Sequence, residues 1–211
     1  MPMFEYFFWD FDGTLFNTYP HIVSIIKQIL KTEYNIDLNP SSIGEWLYVG
    51  LEYCFNKINE SFNVDLNHLK DLFSKEYMLD LESKQHPFPG AKEILKYIKK
   101  KGGKNFIITH RGLTSLSRLL GHNKIENLIE ESITYEDEFP RKPDPASFLF
   151  LIDTYKIQKE KVLVIGDRDI DIQAAKSINT KACYFNPSGK INELADYNVK
   201  KLIELKEIID L

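Results

Sequence analysis

Cysteine is scarce in this sequence: only Cys54 and Cys183 occur among the 211 residues, far apart along the chain. Neither lies in a Cys-x-x-Cys pair or at a cysteine–histidine spacing typical of zinc sites, and a disulfide framework is not needed. We therefore expect two reduced, partly buried thiols in a cytoplasmic protein.

Long apolar runs and an excess of positive charge are also missing. No apolar segment approaches the roughly 20 residues that a membrane-spanning helix needs, and the first residues, MPMFEYFFWD, lack the basic leader of a signal peptide. A formal net charge of −4 gives no electrostatic reason to expect nucleic acid or an anionic membrane as a partner. The sequence thus favours a cytoplasmic protein that binds neither.

Hydrophobic residues make up 43% of the chain, which is enough for a folded core. Short apolar runs bounded by turn residues are typical of strands buried on both faces of a parallel sheet. Such runs occupy residues 5–9, 105–108, 162–165 and 181–185. Helical periodicity is found over residues 90–101, 144–152 and 170–178. This strand–helix alternation predicts an α/β fold with a doubly wound, Rossmann-like parallel sheet.

Residues 16–86 have a different pattern. Apolar residues recur at three- and four-residue steps over 18–31, 51–58 and 66–81, and Asn39-Pro40 is a typical helix start. We predict an all-helical cap domain over residues 16–86, inserted into an α/β core of residues 1–15 and 87–211. An insert beside a sheet edge is well placed to act as a lid.

Polar residues follow three of the predicted strands. Ligands of open parallel sheets bind outside the carboxyl ends of the strands, so these residues should meet in one crevice. They are Asp10, Asp12, Thr109, Asp167 and Asp171. Carboxylates about 4 Å apart repel by ~4 kcal/mol per pair at an effective dielectric constant of ~20, so the cluster needs a cation. Oxygen ligands without histidine or cysteine favour Mg²⁺.

Asp10 and Asp12 suit two different chemical roles. One carboxylate can attack phosphorus in line, and the other can protonate the leaving oxygen and then activate water. Gly13 lets backbone N–H groups of the turn approach phosphoryl oxygens, and Thr14 can fix the turn by a side-chain hydrogen bond.

Two further residues suit phosphoryl binding. Thr109 offers a hydroxyl group at the next strand end. Lys142, which precedes Pro143-Asp144-Pro145, can supply a permanent positive charge against the carboxylates and a phosphate dianion.

Four segments together resemble the motifs of the haloacid dehalogenase-like superfamily. Asp10-Phe11-Asp12-Gly13-Thr14-Leu15 resembles the first motif, and Thr109 after its apolar strand resembles the second. Lys142-Pro143 resembles the third motif, and Gly166-Asp167-x-x-x-Asp171 resembles the fourth. The motifs occur in order and span nearly the whole chain. The helical insert between the first two resembles the cap of the subgroup that includes phosphoglycolate phosphatase and β-phosphoglucomutase.

The resemblance implies a role for each matched residue. It makes Asp10 the nucleophile that becomes an aspartyl phosphate, and Asp12 the general acid/base, whose backbone carbonyl also binds Mg²⁺. It makes Asp167 an acidic metal ligand and Asp171 a second acid near the metal or its waters. The phosphoryl binders it implies are Thr109 and Lys142.

Substrate contacts are expected from three other residues. Gly50, within Tyr48-Val49-Gly50-Leu51, lies where the substrate loop of the cap would be expected. His110 and Arg111 lie near the crevice, and Arg111 could hold an anionic substrate group or form a surface salt bridge. Phosphoglycolate-type members more often have Asn after the threonine of the second motif, so the substrate itself stays open.

The expected function is Mg²⁺-dependent hydrolysis of a small phosphorylated metabolite by a monomer or weak homodimer. A phosphomutase acting on a sugar phosphate would use the same aspartyl phosphate, and a non-catalytic metabolite-binding module is a further alternative. A dehalogenase would lack a carboxylate at Asp12, and no cap lysine is marked as a phosphonatase nucleophile. The absence of Gly-x-Gly-x-x-Gly after the first strand excludes a nucleotide-binding oxidoreductase.

Overall fold

The computed structural model describes residues 3–79 and 81–210 of the chain. The chain divides into an α/β unit, Met1–Asn17 with Pro87–Leu211, and a helical unit, Thr18–His86. The helical unit is inserted after the first sheet strand and its turn. No helix in these described ranges combines the length and the apolar character needed to cross a membrane.

A six-stranded parallel sheet forms the α/β unit. Its strands are β1 (Tyr6–Trp9), β4 (Lys104–Ile108), β5 (Ile129–Ile133), β6 (Val162–Gly166), β7 (Lys181–Phe185) and β8 (Tyr197–Val199). They lie in the order β5-β4-β1-β6-β7-β8, and all neighbouring strands in this order run parallel. The chain builds outward from β1 in one direction and then in the other, which creates a switch point where ligands of such sheets bind. The predicted doubly wound α/β fold is confirmed.

The helices of this unit are α6 (Ala91–Lys100), α7 (Leu113–His122), α8 (Ala146–Thr154), α9 (Asp169–Ser177) and α10 (Leu205–Ile209). Phe148 of α8 and Ile172 of α9 join Phe8, Phe106 and Val164 of the sheet in one buried cluster. Burying these apolar groups is the main stabilising contribution to the unit. It also holds the start of α9 beside the end of β6, where the acidic residues lie.

Helix α8 begins at Ala146, one residue later than the sequence predicts with Asp144 as the N-cap and Pro145 at the first helical position. Pro145 occupies the N-cap position, and Asp144 Oδ1 accepts a hydrogen bond of 2.9 Å from the amide of Ala146. Asp144 therefore caps the helix from one residue further out than expected.

The helical unit contains α1 (Tyr19–Tyr34), α2 (Pro40–Val49), α3 (Leu51–Phe62), α4 (Leu66–Tyr77) and α5 (Leu81–Lys84). Its apolar core includes Ile26, Ile43, Cys54 and Leu69, all fully buried. Asp65 caps α4 by accepting hydrogen bonds from the second and third residues of the helix.

Four strands were not expected from the sequence. Two are very short and pair with each other: β2 (Phe16–Asn17) and β3 (His86–Pro87). The other two, β5 and β8, are the outermost strands of the main sheet. Their sequences, IEESI and YNV, lack the continuous apolar character of the central strands because an edge strand remains partly exposed to solvent.

Candidate active site

Backbone hydrogen bonds fix the residues that follow the central strands. The amide of Asp10 donates to the carbonyl of Ile165 in β6 (2.9 Å), and the amide of Thr109 donates to the carbonyl of Ile133 in β5 (2.9 Å). The backbone hydrogen bonds between neighbouring strands thus continue one residue beyond the ends of β1 and β4. Both side chains start from well-defined positions at the carboxyl edge of the sheet.

Lys142 is buried among three oxygen atoms of this edge. Its Nζ lies 2.5 Å from Asp10 Oδ1, 2.6 Å from Asp171 Oδ1 and 2.9 Å from the carbonyl oxygen of Ile108. Burial acts to lower the pKa of Lys142, but attraction to Asp10 and Asp171 outweighs it and the pKa is raised. Lys142 is therefore a permanent cation with all three donors in use.

The Asp10 carboxylate has one oxygen held and one available. Oδ1 binds Lys142, whereas Oδ2 is buried and has no hydrogen-bond partner within the described structure. Burial, the largest influence, raises the pKa of Asp10 above its ordinary value, although Lys142 acts in the opposite direction. A buried oxygen without a partner is costly unless a ligand satisfies it.

Asp10 belongs to a group of three carboxylates at this edge of the sheet. Asp10, Asp167 and Asp171 each offer one oxygen atom, and these atoms lie within 4.8 Å of one another. Oδ1 of Asp167 also accepts a hydrogen bond of 3.1 Å from the hydroxyl of Thr14. Hard oxygen donors and a net negative charge fit Mg²⁺, and the orphaned Asp10 oxygen supports that fit.

Gly166 determines how closely Asp171 can approach the end of β6. A Cβ atom on Gly166 would lie 2.3 Å from the Cβ of Asp171, which is impossible without displacement. Asp171 also caps α9, because its Oδ2 accepts a hydrogen bond of 3.2 Å from the amide of Arg168. Asp171 can therefore cap the helix and still belong to the acidic cluster that the sequence predicts.

The turn after β1 is built on a left-handed glycine. Gly13 has φ of 86°, and its amide donates to the carbonyl of Phe16 (2.8 Å). The amide of Gly13 is therefore used within the turn, whereas the sequence suggested that the turn's amides approach phosphoryl oxygens. Thr14 ties the turn to Asp167 through its hydroxyl group.

The Asp12 side chain faces Arg111 and lies outside the three-carboxylate group. Arg111 donates from Nε to Asp12 Oδ2 (3.2 Å) and from one terminal nitrogen to Asp12 Oδ1 (2.5 Å). The sequence suggested a salt bridge at the surface as one role for Arg111. Arg111 does form a salt bridge, but its side chain is only 2% exposed, so the predicted surface location is wrong. The proposed carbonyl contact of Asp12 with a metal stays a prediction.

His110 contacts the backbone of Lys142. Its Nε2 accepts a hydrogen bond of 2.9 Å from the Lys142 amide. Burial, followed by the charge of Lys142, lowers the pKa of His110 to about 3, so the ring is neutral at physiological pH. His110 also lines a cavity of about 480 Å³ with Thr109, Glu136 and Arg141. Its predicted contact with substrate stays a prediction.

Gly50 lies in the helical unit, between α2 and α3. Its amide donates to the carbonyl of Trp46 (3.2 Å), and its carbonyl accepts from the amide of Cys54 (2.9 Å). Gly50 thus ends one helix and begins the next. Its membership of a substrate loop stays a prediction.

Sequence reasoning missed three contributors to the site: the carbonyl of Ile108, the close approach at Gly166 and the Phe11 ring under Arg111. The Arg111 guanidinium carbon lies 5.1 Å from the centre of that ring. The glycine immediately before Asp167 was visible in the sequence and could have suggested a close approach. The other two depend on side-chain directions.

Known proteins resemble this chain over most of its length. A family model for haloacid dehalogenase-like hydrolases matches residues 7–185. A phosphoglycolate phosphatase from Pseudomonas fluorescens is 25% identical over 180 residues, covering 82% of this chain and 66% of that protein. The chain therefore spans slightly less than two thirds of that relative. A phosphoglycolate phosphatase from Aquifex aeolicus is 24% identical, covering 96% of this chain and 95% of that protein.

The fold also matches solved structures. The structure of a predicted phosphoglycolate phosphatase from Haemophilus somnus has a TM-score of 0.88 and 22% identity, with 99% of each chain covered. At this identity the likeness establishes the common fold alone.

Proposed function

The chain belongs to the haloacid dehalogenase-like hydrolase family, and from that premise we propose that it is a Mg²⁺-dependent phosphatase of small phosphorylated metabolites. The observation that carries the proposal is the state of Asp10. One of its oxygens is bound by Lys142, and the other is buried and has no hydrogen-bond partner among the residues that the structure describes. A buried, partly satisfied carboxylate facing a permanent cation suits a nucleophile for an anionic phosphoryl group.

The proposed reaction has two halves. In the first, a carboxylate oxygen of Asp10 forms a bond to phosphorus while the bond from phosphorus to the leaving oxygen breaks, and Asp12 gives that oxygen a proton. In the second, Asp12 takes a proton from water, the water oxygen bonds to phosphorus, and the bond to Asp10 breaks. Asp12 is returned to its starting state, so a single carboxyl group serves as acid and then as base.

The charges around Asp10 suit the stabilisation of a phosphoryl transition state. Lys142 is fixed by three oxygens, so it opposes negative charge without first having to reorganise. Thr109 is held by its backbone bond to Ile133 and can donate its hydroxyl proton to a phosphoryl oxygen. Preorganised electrostatics of this kind contribute most of the catalysis in phosphoryl transfer.

Mg²⁺ would be held by Asp10, Asp167 and Asp171, with the backbone carbonyl of Asp12 as a further proposed ligand. When bound, it would neutralise charge on the carboxylates and the phosphoryl group. The helical unit is proposed to act as the cap, with Gly50 in its substrate loop, and to limit the access of water. Location in the cytoplasm and a monomeric or weakly dimeric state remain predictions.

Phosphoglycolate is the first substrate to test, because both relatives described above are named for its hydrolysis. The experiment measures phosphate release from a panel of phosphorylated metabolites with Mg²⁺ or with EDTA. We expect Mg²⁺-dependent release that Asp10→Asn abolishes. Release that survives in Asp10→Asn would contradict the assignment of the nucleophile, and isomerised sugar phosphate without phosphate release would indicate a mutase.

A further inference from the structure

Arg111 is fixed on both its main chain and its side chain. Its amide donates to the Thr109 hydroxyl oxygen (3.1 Å), and its carbonyl accepts from the amide of Tyr135 (3.1 Å). Its guanidinium lies 5.1 Å from the centre of the Phe11 ring, which itself stacks on Phe16. These contacts hold the guanidinium in one place before any substrate arrives.

The guanidinium binds both oxygens of Asp12 in a fork. The two contacts measure 3.2 Å and 2.5 Å, and Asp12 retains 23% side-chain exposure while Arg111 has 2%. A bidentate pair of this kind fixes the plane of the carboxylate as well as its distance. Each carboxylate oxygen has a second lone-pair direction, so Asp12 can still exchange a proton with a leaving group or water.

We propose that Arg111 is a positioning residue, which acts through Asp12 by holding that carboxylate in the orientation needed for both proton transfers. The inference rests on the proposed phosphatase function. It differs from the substrate-binding role expected for Arg111 from the sequence, because Nε and one terminal nitrogen of the guanidinium both donate to Asp12. The same residue orients Thr109, but only through its main chain.

The main-chain and side-chain roles can be separated by substitution. Arg111→Met removes the fork and keeps the amide that donates to Thr109, so any loss of activity reports on Asp12. Arg111→Lys restores a positive charge without the planar pair of donors. Lys161→Met is the matched control: Lys161 pairs with Glu5 at 2.6 Å beside the first residue of β1, at the opposite edge of the sheet.

Kinetics with the best substrate of the panel and with p-nitrophenyl phosphate test the proposal. We expect Arg111→Met to lower kcat by roughly 10- to 100-fold, since misplacing a reacting group by about 1 Å has effects of this size. KM should stay within about twofold, Arg111→Lys should recover only part of the loss, and Lys161→Met should match the wild type. A raised KM with unchanged kcat would overturn the proposal and assign Arg111 to substrate binding.

A double-mutant cycle identifies the route of the effect. If Arg111 acts through Asp12, adding Arg111→Met to Asp12→Asn should change kcat by less than about twofold, because effects on one shared interaction are not additive. A loss as large in the Asp12→Asn background as in the wild type would overturn the proposal.

A crystal structure of Arg111→Met gives a readout that needs no turnover. We expect the Asp12 carboxylate to leave its position while Thr109 and the β4 strand end remain in place. An unmoved Asp12 would overturn the inference whatever the activity of the wild type. Absence of phosphate release from the wild type, together with a displaced Asp12, would instead contradict the proposed function and leave the positioning contact established.

Discussion

Lys142 is the residue on which the charge balance of the site depends. It is buried with Asp10 and Asp171, and the side chains of all three are at most 2% exposed. Removing one partner of a buried ion pair costs about 3–5 kcal/mol, because the remaining charges stay buried without compensation.

We therefore expect Lys142→Met to destabilise the metal-free protein by several kcal/mol on this scale and to lower kcat by roughly 100- to 1000-fold. Unfolding in urea, with and without Mg²⁺, measures the first effect, and added Mg²⁺ should restore part of the stability. Lys161→Met serves as control, since its pair with Glu5 is about one third exposed and should contribute less than about 1 kcal/mol. Equal destabilisation by both substitutions would contradict the buried charge balance.

His110 gives the folded protein a particular pH dependence. Its pKa is about 3 when folded, and an unfolded histidine has a pKa near 6.5. Between these values the unfolded state binds a proton that the folded state does not, so the stability contribution is present above pH ~6.5 and is lost as pH falls towards about 3, by up to ~1.4 kcal/mol per pH unit. The charges that act on this ring are Lys142, Arg168, Arg141 and Asp171.

His110→Gln should remove this part of the pH dependence, because glutamine can still accept from the Lys142 amide but does not titrate. The free energy of unfolding measured between pH 3.5 and 7 should have a shallower slope in the variant. Parallel curves for the wild type and the variant would show that His110 has the same pKa in the folded and unfolded states.

At the scale of the element, the junction of β6 and α9 tolerates little change. A methyl group on Gly166 would overlap Asp171, whereas at Gly121, within α7, it would meet no atom within 4 Å. Gly166→Ala should therefore destabilise the protein by about 1–3 kcal/mol and lower activity by displacing Asp171. Gly121→Ala should stabilise it by roughly 0.5–1 kcal/mol.

Thermal or urea unfolding and phosphate release check this pair of substitutions. An active, fully stable Gly166→Ala protein would mean that β6 and α9 can move apart without consequence for the acidic cluster. A destabilised Gly121→Ala protein would show that helix α7 is under constraints unrelated to side-chain space.

How well each strand could be predicted depended on how deeply it is buried in the sheet. The strands β1, β4, β6 and β7 are predictable because they are buried on both faces and therefore nearly continuous in apolar residues. The edge strand β5 has two adjacent glutamates and a serine between its isoleucines, so its sequence resembles a loop.

The clustering of the motif residues was also predictable, because residues that follow the central strands of a parallel sheet must share one edge of that sheet. The partners of His110 and Arg111 were not predictable. The two residues lie two and three positions after the end of β4, and only the side-chain rotamers decide whether they face a substrate, Lys142 or Asp12.

At the scale of the whole molecule, metal binding and folding should be linked. The carboxylates of Asp10, Asp167 and Asp171 come from distant segments and meet only in the folded chain, so a metal that binds them stabilises the native state. At a free Mg²⁺ concentration 100 times the dissociation constant, the expected gain is ~2.7 kcal/mol.

Calorimetric melting with Mg²⁺ and with EDTA measures this linkage. We expect Asp167→Asn to abolish most of the shift in Tm. Asp153→Asn, at a side chain that is 88% exposed, should keep it. An identical shift in all three proteins would place the bound metal elsewhere.

The central position of β1 has a consequence for biosynthesis. In the finished sheet, Trp9 lies beside Ile107 of β4 and Ile165 of β6. The ribosome makes the β1 segment Tyr-Phe-Phe-Trp more than 150 residues before it makes the second neighbouring strand, β6. At typical elongation rates, roughly 10 to 30 seconds pass between the synthesis of this apolar segment and that of β6. The nascent chain therefore exposes an apolar segment to holdase chaperones during this interval, in which the helical insert is also made.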